Sequence, residues 1–280
     1  MGTLGLITLF LILFNLYFSY KGFSNYAFIN KHSFNVNNIL ASRQYKRIIT
    51  SGFLHSNWNH LLFNMFSLYI FGSSLEDYAR PLNFSIIYFS SLIGGSLFAL
   101  FVHRSHRDYT SIGASGAVCG VIFASIALFP GMEIGLFLLP VSIPAWMYGF
   151  LFVIYSIYGI RSKSDNIGHE AHLGGALVGL AMAIVLYPNA LSANFLTIVI
   201  ITIPSLFFIY TIITKPHLLL IDNYLFKKPD YYSVDEKYNA RKAAEQKEVD
   251  RILDKIHIKG IQSLTKKEKE TLDTYTQARK

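Results

Sequence analysis

Four polar side chains in an apolar chain define a possible acyl-transfer chemistry. Ser115 lies in Gly113-Ala114-Ser115-Gly116, His172 in Ala171-His172-Leu173-Gly174-Gly175, and His60 and Asn64 stand four residues apart in a third segment. A serine at a helix start meets free N–H groups and the positive end of the helix dipole, which favour developing negative charge. A histidine base beside it, with hydrogen-bond donors from another helix, completes the requirements for a nucleophilic serine and a stabilised oxyanion. His60 and Asn64, as i and i+4, share one helix face.

These residues must be positioned by membrane-spanning helices. Of the 280 residues, 52% are hydrophobic and 15% charged. The charges are unevenly divided: residues 1–213 hold 10 Lys/Arg and 6 Asp/Glu, whereas residues 214–280 hold 15 and 11. A soluble domain carries roughly a quarter charged residues, so a soluble enzyme, a disordered chain and a nucleic-acid-binding domain all fit poorly. The sequence predicts a polytopic membrane domain over 1–213 and a charged helical tail over 214–280. A span needs about 20 apolar residues, and seven stretches qualify or nearly so: Thr3–Tyr20, Phe53–Ser73, Leu82–Val102, Ala114–Phe129, Leu139–Tyr158, His169–Tyr187 and Ala193–Ile213. The first lacks a basic n-region and reads as a retained span. The fourth is short and rich in small residues, so other helices are expected to ring it. The segment Lys21–Thr50 mixes polar and apolar residues and is expected to fold onto the membrane interface. In the tail, Glu236–His257 has a surface-helix pattern, and Thr265 with Glu268 forms a capping-box signature for a second helix through Gln277.

Parity brings the polar residues to one depth. If seven helices cross in succession, the second, fourth and sixth enter from the same face, so His60 and Asn64, Ser115, and His172 share a level. Intramembrane ionisable groups are costly and tend to be functional. His172, Gly175 and Gly179 lie on one stripe, and Gly116 and Gly120 give the fourth helix its own small-xxx-small pair. Such stripes let helix axes approach closely, within reach of a Ser115–His172 hydrogen bond. His55 and His169 are candidates for holding water or ordering loops, and Glu170 reads as interfacial solvation. Glu76, Asp77 and Arg80 read as a cap and loop cluster. Cys119 reads as packing and is the sole cysteine, so no intrachain disulfide or cysteine metal site is available. His169-Glu170-Ala171-His172 is one residue short of the HExxH spacing of a zinc protease.

The ordered motifs Gly113-Ala114-Ser115-Gly116, His55-x4-His60-x3-Asn64 and Ala171-His172-Leu173-Gly174-Gly175 resemble those of the rhomboid intramembrane serine proteases. The resemblance covers roughly residues 1–213. It implies an all-α membrane bundle with a six-helix core and, as in part of the family, a seventh C-terminal transmembrane helix. It further implies a Ser115–His172 dyad, an oxyanion hole from His60, Asn64 and the Ser115 amide, no cofactor, and transmembrane proteins in the lipid bilayer as substrates, in a bacterial inner membrane. Tyr45-Lys46-Arg47 stands where rhomboids often carry Trp-Arg. A catalytically inactive rhomboid-like protein that binds membrane clients is the alternative; such proteins lack the serine or the histidine, and both are present here.

Orientation divides the two lines of reasoning. Loops 21–50, 103–111 and 159–168 carry 5, 2 and 2 Lys/Arg, against 1, 0 and 0 in loops 74–81, 130–139 and 188–193. By the positive-inside rule the Ser115 face would be cytoplasmic; the rhomboid resemblance puts it on the opposite side.

Overall fold

The computed structural model describes residues 4–135, 142–162 and 167–214, together with scattered positions between 249 and 272. The chain divides into two compact units, Met1–Ile221 and Asp222–Lys280. The first is a bundle of apolar helices, as expected of a polytopic membrane protein.

The first helix, α1 (Leu6–Phe23), leads into a segment of short elements: α2 (Tyr26–His32), β1 (Phe34–Asn35), α3 (Val36–Leu40) and α4 (Arg47–Thr50). This is the Lys21–Thr50 region, and the buried Arg47 holds it together. Its Nη1 donates to the carbonyls of Asn30 (2.7 Å) and Ser33 (2.8 Å), and its Nε to Gln44 Oε1 (2.7 Å). Backbone carbonyls without a ladder partner must be satisfied within a membrane protein, and the guanidinium, with five donors in a fixed fork, serves several at once.

The second span begins later than the sequence predicts. Ser51–Phe53 forms one 3₁₀ turn, and α5 (Trp58–Ser67) starts only where the Asn57 side chain accepts from the His60 N–H (2.9 Å); an Asn at the N-cap satisfies one of the orphan donors of a first turn. The helix widens into a π turn at Leu68–Gly72 and continues as α6 (Ser73–Val102). Although α6 runs without interruption in hydrogen-bonding pattern, Arg80 has φ 66° and ψ 157°, immediately before Pro81. Proline disfavours helical backbone in the residue before it, so the 45-residue stretch from Trp58 to Val102 is two passes with a break at Arg80. Tyr187 secures the break: its hydroxyl donates to the Ala79 carbonyl (2.8 Å) and accepts from Asn83 Nδ2 (2.7 Å).

After β2 (Thr110–Ser111), which pairs with β1, comes α7 (Ser115–Leu128). Every residue of α7 from Gly116 to Leu128 is buried, so this short helix is ringed by protein as its small residues predict. A hairpin of β3 (Glu133–Gly135) and β4 (Ser142–Pro144) precedes α8 (Ala145–Ser162). The expected helical start at Leu139 is thus corrected: Ser142–Pro144 is strand, and the helix follows Pro144, whose missing N–H is tolerated at a helix boundary. Then come α9 (His169–Leu186), the short α10 (Asn189–Ala193) and α11 (Phe195–Thr214), the seventh span. The outward faces carry exposed Phe10, Tyr17, Phe63, Leu82, Val185, Leu196 and Phe207, side chains that lipid rather than water would cover.

Glu76 corrects another expectation. It is buried, and its carboxylate accepts from Ile7 N–H (2.9 Å), Thr8 N–H (2.8 Å) and the Thr8 hydroxyl (2.7 Å). It is therefore the cap of α1 supplied from 69 residues away in sequence, an anion at a helix N-terminus.

In the second unit, the Thr265–Glu268 capping box is present: Thr265 N–H donates to Glu268 Oε2 (2.8 Å), and Glu268 N–H donates to Thr265 Oγ1 (3.3 Å). Lys255 Nζ adds a contact at 2.8 Å, and the hydrogen bonds from Lys255 and Thr265 pull the Glu268 carboxyl down to about 2. Val249, Ile252, Lys255 and Ile256 are helical; the remainder of the expected Glu236–His257 helix, and of the second helix beyond Leu272, lies outside the described residues.

Glu76→Gln removes the charge from a buried group that accepts three hydrogen bonds, each worth about 1.5–3 kcal/mol where the acceptor is ionised. Thermal unfolding in detergent micelles should show a clear loss of stability, whereas Asp77→Asn, an exposed neighbour, should leave the transition in place.

Candidate active site

The site forms where the starts of α5, α7 and α9 meet. Ser115 is the first residue of α7 and His172 lies on the first turn of α9, and Ser115 Oγ is 2.6 Å from His172 Nε2. Both side chains are half-buried, so a protein-lined site remains open to water.

Glycines make the contact possible. A methyl group on Gly175 would fall on the Gly116 backbone, and one on Gly179 would fall on the Gly120 backbone. One turn earlier on α9, the Ala171 carbonyl lies 3.1 Å from where a Cβ on Gly116 would stand. The expected stripes, Gly116/Gly120 on α7 and Gly175/Gly179 on α9, therefore face each other and bring the backbones into contact. A third helix joins them, since a Cβ on Gly95 of α6 would stand 2.5 Å from the Ala171 carbonyl.

Gly113 takes φ +141° just before the serine, a conformation available essentially to glycine. A side chain there would also meet the His60 ring at 2.9–3.0 Å and Ser115 Oγ at 3.4 Å. His60 is thus beside the serine, with its Nδ1 3.2 Å from Ser56 Oγ and its Nε2 edge toward Gly113. Asn64 is buried one turn further along α5 and donates one amide hydrogen to the His60 carbonyl (2.9 Å). The second amide hydrogen is a further donor on the same helix face.

His55 is not on the second helix, as the motif spacing suggests, but on the connection before it, fully buried. Its Nδ1 is 2.9 Å from Ser19 Oγ, and its Nε2 lies 3.5 Å from the Ala114 N–H. Ser19 donates to the Phe53 carbonyl (3.2 Å), so the proton placement satisfying the chain has His55 Nδ1–H donating to Ser19 and Nε2 accepting. His55 links α1 to the residue preceding Ser115, which favours loop ordering over water holding.

His169 and Glu170 differ from the interfacial solvation expected of them. His169 is 1% exposed, its ring against Gly159 of α8 and edge-on to Tyr155 (4.9 Å between centroids). Glu170 is 6% exposed and accepts from His103 Nε2 at 2.9 Å. Successive residues on a helix point about 100° apart, so the three polar groups of His169-Glu170-Ala171-His172 diverge to α8, to the end of α6 and to Ser115. Cys119 is buried one turn below Ser115.

The motif spacing gives no sign of Ser19 or His103, because each acts through a partner distant in sequence, nor of Tyr109, which reaches His103 through its ring, nor of Asn57, which acts locally as the N-cap of α5. Tyr109 stacks flat on His103 (3.6 Å, 9° between planes). Burial pushes the Tyr109 hydroxyl above its usual range, and the nearby Glu170 charge pushes it further.

A family model described as Rhomboid domain matches residues 42–189, and the chain belongs to the rhomboid family. A second model, described only as a family of unknown function (DUF6576), matches residues 232–278. The yeast Saccharomyces cerevisiae "Rhomboid protein 1, mitochondrial" is 38% identical over 136 residues, 48% of this chain and 39% of that protein. "Rhomboid protease AarA" of Providencia stuartii is 27% identical over 201 residues, 62% of this chain and 69% of that protein. "Inactive RHOMBOID-like protein 8" of Arabidopsis thaliana is 44% identical over 82 residues, 29% of this chain and 22% of that protein. The chain spans between 35% and 54% of the length of the mitochondrial and chloroplast relatives it matches.

Gly113→Ala should cut the second-order rate of Ser115 labelling by a fluorophosphonate probe by about tenfold or more, through backbone strain of about 1–3 kcal/mol and displacement of His60. Gly135→Ala, where a Cβ meets nothing within 4 Å, should label like wild type.

Proposed function

We propose that this chain is an intramembrane serine endopeptidase, hydrolysing peptide bonds in or near the transmembrane segments of other membrane proteins. The observation that carries this reading is the 2.6 Å approach of Ser115 Oγ to His172 Nε2 at the start of a helix enclosed by protein. In the proposed reaction the Ser115 hydroxyl attacks the scissile carbonyl carbon while its proton passes to neutral His172 Nε2. The tetrahedral oxyanion takes hydrogen bonds from the Ser115 amide, His60 Nε2 and the remaining Asn64 amide hydrogen. Collapse transfers the proton from His172 to the departing amine, leaving an acyl-serine. A water molecule, deprotonated by the same histidine, then attacks the acyl carbon and frees the enzyme. A donor to the oxyanion is worth about 3 kcal/mol in the transition state, so His60 and Asn64 together would contribute several orders of magnitude in rate.

Client binding without catalysis is the competing class, and one relative is named inactive. The presence and mutual distance of Ser115 and His172 favour the protease. The divergence of His169, Glu170 and His172 toward three different elements argues against reading that stretch as a zinc-binding pair. The protein is integral to a membrane. Relatives named as mitochondrial and chloroplastic stand beside bacterial ones, and they do not favour the narrower expectation of a bacterial inner membrane.

Cleavage of a model transmembrane substrate in proteoliposomes tests the reading. Ser115→Ala and His172→Ala should each lower kcat by about 10³-fold or more, as removal of either member disables the pair. Unchanged cleavage by Ser115→Ala would overturn the mechanism, and binding without cleavage by wild type would favour the client-binding class. Because the histidine must be neutral to accept the serine proton, kcat/KM should fall toward acid pH; a flat profile from about pH 5 to 8 would refute the role of His172 as base.

A further inference from the structure

We propose that Glu170 and His103 form a positioning latch that sets the rotation of α9 about its own axis, and with it the direction in which His172 meets Ser115. The proposal rests on the protease reading for its kinetic consequence, but the latch itself is a structural statement.

The need for such a latch follows from the glycine interface. Gly175 and Gly179 let α9 lie directly on the backbone of α7, but glycines provide no interdigitating side chains to resist rotation of one helix against the other. A rotation of α9 by 20° would swing a histidine ring, whose reacting nitrogen lies several ångströms from the axis, by more than an ångström. Misplacement of that size is enough to lower a catalysed rate about 10²-fold.

Glu170 is suited to prevent it. It lies two residues before His172, so their side chains leave the helix about 200° apart: His172 faces α7 while Glu170 faces the end of α6. The Glu170 carboxylate accepts from His103 Nε2–H at 2.9 Å, and both side chains are nearly buried. His103 is itself fixed from several directions. It is the first residue after α6, with its N–H bonded to the Ala99 carbonyl (2.9 Å), its Nδ1 3.2 Å from His106 Nδ1, and its ring stacked on Tyr109. Tyr109 in turn is held by the loop, for its carbonyl accepts from Val36 N–H (3.2 Å), and its hydroxyl lies 3.6 Å from where a Cβ on Gly168 would stand, at the start of α9. The following residues, Thr110 and Ser111, pair with Asn35 and Phe34 and lead within four positions to Ser115. One buried hydrogen bond thereby joins the segment that ends in Ser115 to the helix turn that carries His172. A carboxylate only 6% exposed has given up hydration for this fixed partner.

The experiment uses the full chain in proteoliposomes. Wild type, E170L, H103L, E170Q and H103Q are titrated with a fluorophosphonate to count reactive Ser115, and kcat and KM for a model transmembrane substrate are measured per titrated site. E170L and H103L should lose tenfold or more in kcat per site with KM within twofold. E170Q and H103Q, which keep an acceptor and a donor at the same atoms, should stay within threefold of wild type. A purely structural role would lower the number of titrated sites and leave kcat per site intact, and that result would overturn the proposal. Hydrogen exchange gives a readout independent of activity: E170L should speed exchange of backbone amides in 167–172 and 103–111 at least tenfold while those of 118–128 keep wild-type protection. If wild type neither labels nor cleaves, the protease reading falls and the latch is decided by exchange alone, where equal rates in wild type and E170L would overturn it.

Discussion

The structure depends on the direct contact between the backbones of α7 and α9. In lipid there is no hydrophobic force to press two apolar helices together, so they associate by van der Waals contact and by what small residues permit. Gly116 and Gly120 against Gly175 and Gly179 remove the side chains that would hold the axes apart. The Ser115–His172 distance of 2.6 Å is a consequence of that approach. The remainder of the bundle can be read as support for it: α6 closes on the same pair through Gly95, and α7 is buried from Gly116 to Leu128.

Close approach of helices leaves the irregular segments with the harder task. Backbone outside helices has no internal partners, and within a membrane protein each exposed N–H or C=O must find one. Arg47 satisfies the carbonyls of Asn30 and Ser33, Tyr187 that of Ala79, and the β1–β2 pair ties the first long connection to the segment before Ser115. His55 reaches the Ala114 N–H from a connection that also contacts α1 through Ser19. Of these groups, the β1–β2 pair and His55 hold the segment that enters α7.

Much of this was legible in the sequence, for identifiable reasons. Hydropathy marks spans because lipid imposes a minimum apolar length, and charge marks the tail because few charged residues are tolerated in a span. Ser115, His172, His60 and Asn64 stood out because polar residues are rare in such helices and parity puts them at one depth. The small-residue spacing at Gly116, Gly120, Gly175 and Gly179 indicated which faces could meet. Less legible were the helix boundaries that depend on local capping. Asn57 starts α5 five residues later than hydropathy alone places it, and the strand Ser142–Pro144 occupies apolar residues that hydropathy assigned to a helix.

The sequence by itself determined the membrane bundle, the order of its spans and the candidate residues of the site, because hydrophobic length, residue rarity and short-range spacing are properties of the chain alone. Only the tertiary structure decided the partners of the buried polar groups. Glu76 reads as a loop carboxylate until it is seen capping α1, His55 as a member of the second helix until it is found behind Ala114, and Glu170 as a solvated residue until His103 is placed against it. Each of these contacts joins residues 59 to 68 positions apart in sequence, and each exists because a buried polar group must be paired where water is excluded. That requirement is written in no local pattern, and the fold alone meets it.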